Sequence, residues 1–140
     1  MTNNAVLGID YGRKRVGTAL LQANTTIAFP HDVLQNNKTL IDRLEYIVTS
    51  NEVGTIVIGE SKNLNGSDNE ITAEIKKFTE NLSQALLTVR IEVEPEHFSS
   101  HQAAGLQHEF GGNTNKLDAS AAAIILQAWC DRTSYGSSKK

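Results

Sequence analysis

The chain is poor in cysteine: Cys130 is the only one in 140 residues. One thiol can build neither an intrachain disulfide nor a cysteine-based zinc site, and a chain without a disulfide framework suits a reducing cytoplasm. Long hydrophobic runs are missing. No stretch approaches the ~18 consecutive apolar residues of a membrane-spanning helix. The opening "MTNNAVLGID" has neither the basic segment nor the long apolar segment of a secretory signal, so none is expected. An excess of positive charge is missing too. The formal net charge is -3, which excludes a global basic footprint for nucleic acid; any such binding must come from a local patch. Repeats, linkers and low-complexity blocks are also absent.

What is present suits one globular domain, read here as residues 1–133 with a polar tail at 134–140. "AVLGI" is a short apolar run ending at Asp10 and predicts a strand buried on both faces. "VGTALLQ" predicts a second strand and "TTIAFPHDVL" a third, in which Pro30 implies a bulge or strand end. Three strands so close in sequence predict an antiparallel meander. The period then changes. Leu40, Ile41, Leu44, Ile47 and Val48 recur at helical spacing. "GTIVIGE" is a fourth strand. Ser67 and Glu70 form a capping box that opens a helix carrying Ile71, Ile75, Phe78, Leu82 and Leu86 on one face. "LTVRIEVE" is a fifth strand. "SSHQAAGLQHEF" reads as a short helix ended by Gly111 and Gly112, and "KLDASAAAIILQAWCDR" as a final helix whose alanines permit close packing. A meander followed by βαβ units predicts an α/β fold with a five-stranded mixed sheet flanked by helices.

Four carboxylates fall where such folds do chemistry. Asp10 sits where the first strand runs out, and ligand sites in α/β sheets favour the carboxyl ends of strands. Glu94 and Glu96 sit at the end of the fifth strand. Asp118 is read in the first turn of the last helix, where negative charge is stabilised by ~0.3–1 kcal/mol. Were the first and fifth strands neighbours, Asp10 and Glu96 would converge, and the last helix could add Asp118. Carboxylates so gathered need a cation between them, and hard oxygen donors select Mg²⁺ or Mn²⁺. Such a cluster suits phosphodiester hydrolysis. Singly, each residue has a plainer use: a solvated strand end, or a helix cap.

The turn after Asp10 is basic. Gly12 permits a tight turn, and Gly17 permits close approach to the second strand. Arg13, Lys14 and Arg15 could meet phosphates or simply form a solvated hairpin tip. His97, His101 and His108 share no metal-ligating pattern with acids or thiols and read as surface residues; His97, beside Glu96, could orient a water. Trp129 reads as a core anchor or a dimer contact more than a base-stacking group. Tyr11 reads equally as stacking or packing.

These residues resemble a known family. "GIDYGRKRVG" looks like the D-x-G-x-K-R-x-G opening of the YqgF/RuvX family. Gly59, Asn63, Gly66 and Ser67 match its G-x-x-x-N-x-x-G-S motif. "PEHFSS" aligns on its D-E-R-x-[ST]-[ST] stretch, and "DASAAAIILQ" on its last helix. The likeness covers nearly the whole chain, in order. It implies an RNase H-like fold and a nuclease whose metal-binding catalytic carboxylates are Asp10, Glu96 and Asp118. It also implies nucleic-acid contacts from Arg13, Lys14, Arg15, Asn63, Ser67 and Lys116, with Mg²⁺ or Mn²⁺ as cofactor. Pro95 stands where the family has Asp, and His97 where it has an Arg that could grip a phosphate bidentately. Lys116 is the single cation before Asp118, where relatives are often richly basic.

The reading that follows is a cytoplasmic metal-dependent endonuclease acting on structured nucleic acid. Processing of the 5′ end of pre-16S ribosomal RNA is placed ahead of a Holliday junction resolvase. Association with ribosome assembly, as monomer or homodimer, goes with it; a membrane does not. A non-catalytic nucleic-acid or ribosome-assembly module keeping the fold is the alternative. A sugar kinase or ATPase also starts with a strand-D-x-G hairpin, but needs two lobes, and the chain has room for one.

Overall fold

The computed structural model describes residues 4–59, 68–94 and 114–133; within the helices, the side chains of 68–72 and 114–118 are not among those described. The elements are β1 (Ala5–Asp10), β2 (Arg15–Leu21), β3 (Phe29–Gln35), α1 (Leu40–Asn51), β4 (Val53–Gly59), α2 (Asp68–Ala85), β5 (Arg90–Glu94) and α3 (Thr114–Thr133). The strands form one sheet in the order β3-β2-β1-β4-β5. β1 pairs antiparallel with β2, and β2 with β3. β1 pairs parallel with β4, and β4 with β5. This is the mixed five-stranded sheet that the meander and βαβ pattern predict.

Strand alternation divides the core in two. Leu7, Ile9, Ile56 and Ile58 face α1 and α2, where they meet Leu44, Phe78 and Leu82. Val6, Ala19, Leu21 and Val57 face α3, where they meet Ala122, Ile125, Leu126, Trp129 and Cys130. The second face is the tighter one. A Cβ on Gly8 would lie 2.8 Å from the Leu126 Cβ and 3.0 Å from the Ala122 carbonyl oxygen, and a Cβ on Gly59 would run into the Ile125 side chain. The alanines of α3 and the glycines of β1 and β4 therefore set its closeness to the sheet.

The third strand begins at Phe29, later than the sequence pattern suggests, and bulges as Pro30 implies. Thr18 pairs with Asp32 and Ala19 with Pro30, so His31 is the extra residue. The buried Thr18 hydroxyl donates to the Asp32 carbonyl at 2.8 Å and accepts from the Asp32 N–H at 3.0 Å, satisfying groups that the bulge frees. In α1, Leu40, Leu44, Ile47 and Val48 are buried, and Ile41 packs beside them. α2 starts at Asp68, immediately after Ser67, and buries Ile75, Phe78 and Leu82. Ser67 itself, the expected helix over 99–110 and the tail at 134–140 lie outside the described residues.

Three expectations change. β1 and β5 are not neighbours, because β4 lies between them; a parallel crossover through α1 places β4 beside β1 first. The last helix starts at Thr114, so Asp118 is its fifth residue and not in its first turn. Thr114 and Asn115 do not break a helix, and the helix-terminal field fades beyond the first turn. β5 starts at Arg90, because the Val89 N–H donates back to the Leu86 carbonyl at 3.2 Å and turns the intervening residues out of the strand.

Candidate active site

β1 is buried from Ala5 to Ile9 and reaches partial exposure at Asp10. Asp10 pairs directly with Gly17 across the hairpin. On its other side Ile9 pairs with Ile58, so one further step of the same register brings Gly59 beside Asp10. Gly59 pairs in turn with Glu94. Residues paired this way point to one face of a sheet. The row Gly17, Asp10, Gly59, Glu94 therefore crosses the carboxyl ends of the parallel strands on the face covered by α3. Neither neighbour of Asp10 carries a side chain. The Asp10 and Glu94 backbones are two strand spacings apart, about 10 Å.

Glu94 is committed elsewhere. It is 6% exposed. Its carboxylate accepts from Arg132 through Nη2 and, at 3.4 Å, through Nε. The hydrogen bond and charge of Glu94 push the Arg132 guanidinium further above its ordinary value. One turn earlier in α3, the Trp129 Nε1–H donates to Glu92 at 2.9 Å. Two side-chain ties thus hold β5 against the C-terminal half of α3. Sequence reading did not find the first tie: a pairing across 38 positions leaves no local signal. Trp129 is a core anchor at 3% exposure.

Asp118 lies on α3 one helical turn before Ala122. Ala122 packs over Gly8, two residues before Asp10 on the same face. The backbone thus carries Asp118 on the helix that covers the Asp10 face. Its carboxylate lies outside the described side chains. So does Lys116, and Glu96, Asn63, Ser67 and the histidines at 97, 101 and 108 lie outside the described residues. Among the described residues, no three His, Cys, Asp or Glu side chains gather into a metal-holding group. Asp10 is the one member of the expected triad whose side chain is described.

Arg13, Lys14 and Arg15 are exposed at the tip of the β1–β2 hairpin. Gly12 is required there, since a Cβ would lie 2.5 Å from the Arg15 carbonyl oxygen. The tip is braced from outside. Asn36 donates from Nδ2 to the Gly12 carbonyl at 2.6 Å and from its N–H to the Lys14 carbonyl at 2.9 Å. Arg13 pairs with Glu74 of α2 at 3.3 Å. The bracing role of Asn36 was missed; its sole trace is the turn-rich "QNNK" after β3. Tyr11 turns to the opposite face from Asp10, and its ring meets Phe78 at 4.8 Å and 38°. It is a packing residue there.

Comparison with known proteins agrees with this geometry. The family model "RuvX: Holliday junction resolvase" matches residues 4–132. The chain is 34% identical to a protein of Salinibacter ruber over 134 residues, covering 91% of this chain and 93% of that one; that relative is named "Putative pre-16S rRNA nuclease". Proteins of the same name from Maridesulfovibrio salexigens and Proteus mirabilis are 33% and 30% identical, over 91% and 94% of this chain and 98% and 99% of theirs. Among solved structures, Thermus thermophilus RuvC in complex with a Holliday junction substrate superposes with a TM-score of 0.62 at 15% identity, over 94% of this chain and 96% of that one. At that identity the likeness shows the fold, which is RNase H-like, as the sequence resemblance implied.

Proposed function

This chain belongs to the RuvX family, and we propose on that premise that it is a metal-dependent nuclease which cuts phosphodiester bonds, with precursor 16S ribosomal RNA as its substrate. The observation that carries the reading is Asp10. It is a carboxylate at the carboxyl end of β1, between Gly17 and Gly59, on the face that α3 covers. A partly exposed carboxylate at a strand end is a fitting hard donor for Mg²⁺ or Mn²⁺. Glu96, two residues past β5, and Asp118, on α3, are the proposed companions. Glu94 does not fit, because its charge is neutralised by Arg132.

A divalent ion bound there supplies a more acidic water and a countercharge for the leaving oxygen. The chain's own residues do the rest. Asp10 is fixed at the end of a fully buried strand. Lys14 and Arg15, on a tip braced by Asn36 and by the Arg13–Glu74 ion pair, attract and orient the phosphates on either side of the scissile bond. His97, beside Glu96, offers a group that accepts a proton from water. A cytoplasmic location and association with ribosome assembly go with an RNA precursor as substrate.

A Holliday junction is the second substrate class. Cutting it requires two symmetric strands and therefore a two-fold dimer. Purified protein incubated with a pre-16S 5′-leader fragment, single-stranded RNA and a four-way DNA junction decides between them. Each is run with Mg²⁺, Mn²⁺ or EDTA, beside Asp10→Asn. The expected outcome is metal-dependent cutting of the leader that the variant loses. Cutting of the junction instead would reassign the substrate. Binding without cutting would make the chain a nucleic-acid-binding module.

A further inference from the structure

Behind the hairpin, on the face opposite α3, α1 and α2 enclose a cleft of about 380 Å³ with the residue after Asp10 at its edge. We propose that this cleft is a subsite for one unpaired nucleotide of the substrate strand, next to the scissile bond. The proposal rests on the nuclease reading above and extends it to the shape of the substrate.

The position is the first argument. Tyr11 lines the cleft and follows Asp10 directly, so the two Cα atoms are about 3.8 Å apart. Their side chains leave the strand end on opposite faces. A strand that follows the hairpin from the Asp10 face to the Tyr11 face meets the cleft there. Asn36, which braces the hairpin, also lines it. The cleft and the catalytic turn are therefore parts of one rigid unit.

The chemistry is the second. Tyr11, Phe78 and Ile41 supply an apolar, partly aromatic floor. Lys38 on one side, and Lys77 and Asn81 on the other, form the rim. Glu74 is the one acid in the lining, and Arg13 takes up its charge at 3.3 Å. Lys38 and Lys77 have no ion-pair partner among the described residues, and the Asn81 amide has no hydrogen bond among them. A chain of net charge -3 thus presents two uncompensated cations around a ring-bearing floor. Sites for single strands combine these features: a base rests on the rings and the backbone meets the cations. The volume is at the small end of the ~300–1,000 Å³ range of ligand pockets. It is on the scale of one nucleotide.

The test measures binding of a fluorescent single-stranded RNA in EDTA, where no cutting occurs. Three proteins are compared: the unmodified chain, Lys38→Glu/Lys77→Glu, and Arg43→Glu/Lys76→Glu. The last pair makes the same charge change on α1 and α2, outside the cleft lining. Loss of one stacked base, ~1–3 kcal/mol, corresponds to a weakening of about 5- to 150-fold for the cleft pair, against less than about threefold for the control. RNA carrying 4-thiouridine is expected to cross-link at Tyr11, Lys77 or Asn81. Equal weakening by the two pairs, with cross-links elsewhere and cutting intact, overturns the cleft and leaves the nuclease reading standing. Cleft-dependent binding without cutting on any substrate overturns the nuclease reading and leaves the cleft. No binding by the unmodified chain overturns both.

Discussion

The two faces of the sheet are built to different rules. Towards α1 and α2 the strands present Leu7, Ile9, Ile56 and Ile58, all fully buried and bulky. Towards α3 the same strands present Gly8, Asp10 and Gly59, and the helix answers with Ala122, Ile125 and Leu126. One face maximises buried apolar area. The other gives up side chains at Gly8 and Gly59 so that a helix can approach closely. Large side chains on the α3 face would lift the helix, which carries Asp118, from the sheet. The difference shows how one sheet serves as both core and platform.

The sharpest way to break this division is a pair of substitutions, one per face. Asp10→Asn is expected to lower cutting on the order of 10³-fold, the scale of removing one preorganised electrostatic group, with the melting temperature unchanged or raised. Leu82→Ala, on the other face, is expected to cost about 2–5 kcal/mol of stability in denaturant titration, with the residual folded enzyme still cutting. Equal effects of both on stability would erase the distinction.

The glycines sharpen it. Gly8→Ala is expected to cost about 1–3 kcal/mol by overpacking, and to reduce activity as α3 is displaced. Gly59→Ala is expected to cost less. Its added methyl meets the movable end of Ile125, whereas that of Gly8 meets a Cβ and a backbone carbonyl. The reverse order would mean that α3 yields as a body. Arg132→Ala leaves the buried Glu94 without its partner. Because Arg132 is itself half exposed, the expected loss is about 1–2 kcal/mol. Glu94→Gln/Arg132→Gln together should recover part of it.

The smallest effect is at high pH. Burial, and then the Asp131 charge, raise the Cys130 thiol above its ordinary value of 9.0. Above that value the unfolded thiol ionises while the folded one keeps its proton, so stability falls as pH rises. Cys130→Ala is expected to flatten that slope in melts between pH 8 and about 10.

Much of this was legible in the sequence. Short apolar runs and helical periodicity located all five strands, α1, α2 and the last helix, and Pro30 announced the bulge in β3. Strand order was not legible. Apolar runs say that strands are buried, not which one lies beside which, so the adjacency of β1 and β5 stood only as a condition, and β4 lies between them. Asp10 was legible because a charge interrupts an apolar run. The meaning of Gly8 and Gly59 was not, since what a glycine makes room for depends on a helix more than sixty residues away in the chain. Nor was Glu94 with Arg132, where only the folded chain shows that one of two nearby carboxylates is already paired.

The most direct test of the central claim is a Mn²⁺ titration of the ¹⁵N-labelled chain, without substrate, followed by paramagnetic broadening of its amide signals. The account predicts broadening centred on Asp10, Gly17, Gly59 and the residues around 118 of α3, with Leu44 and Leu82 unaffected, and its loss in Asp10→Asn. Broadening centred on the α1/α2 face, or broadening unchanged in Asp10→Asn, would contradict it.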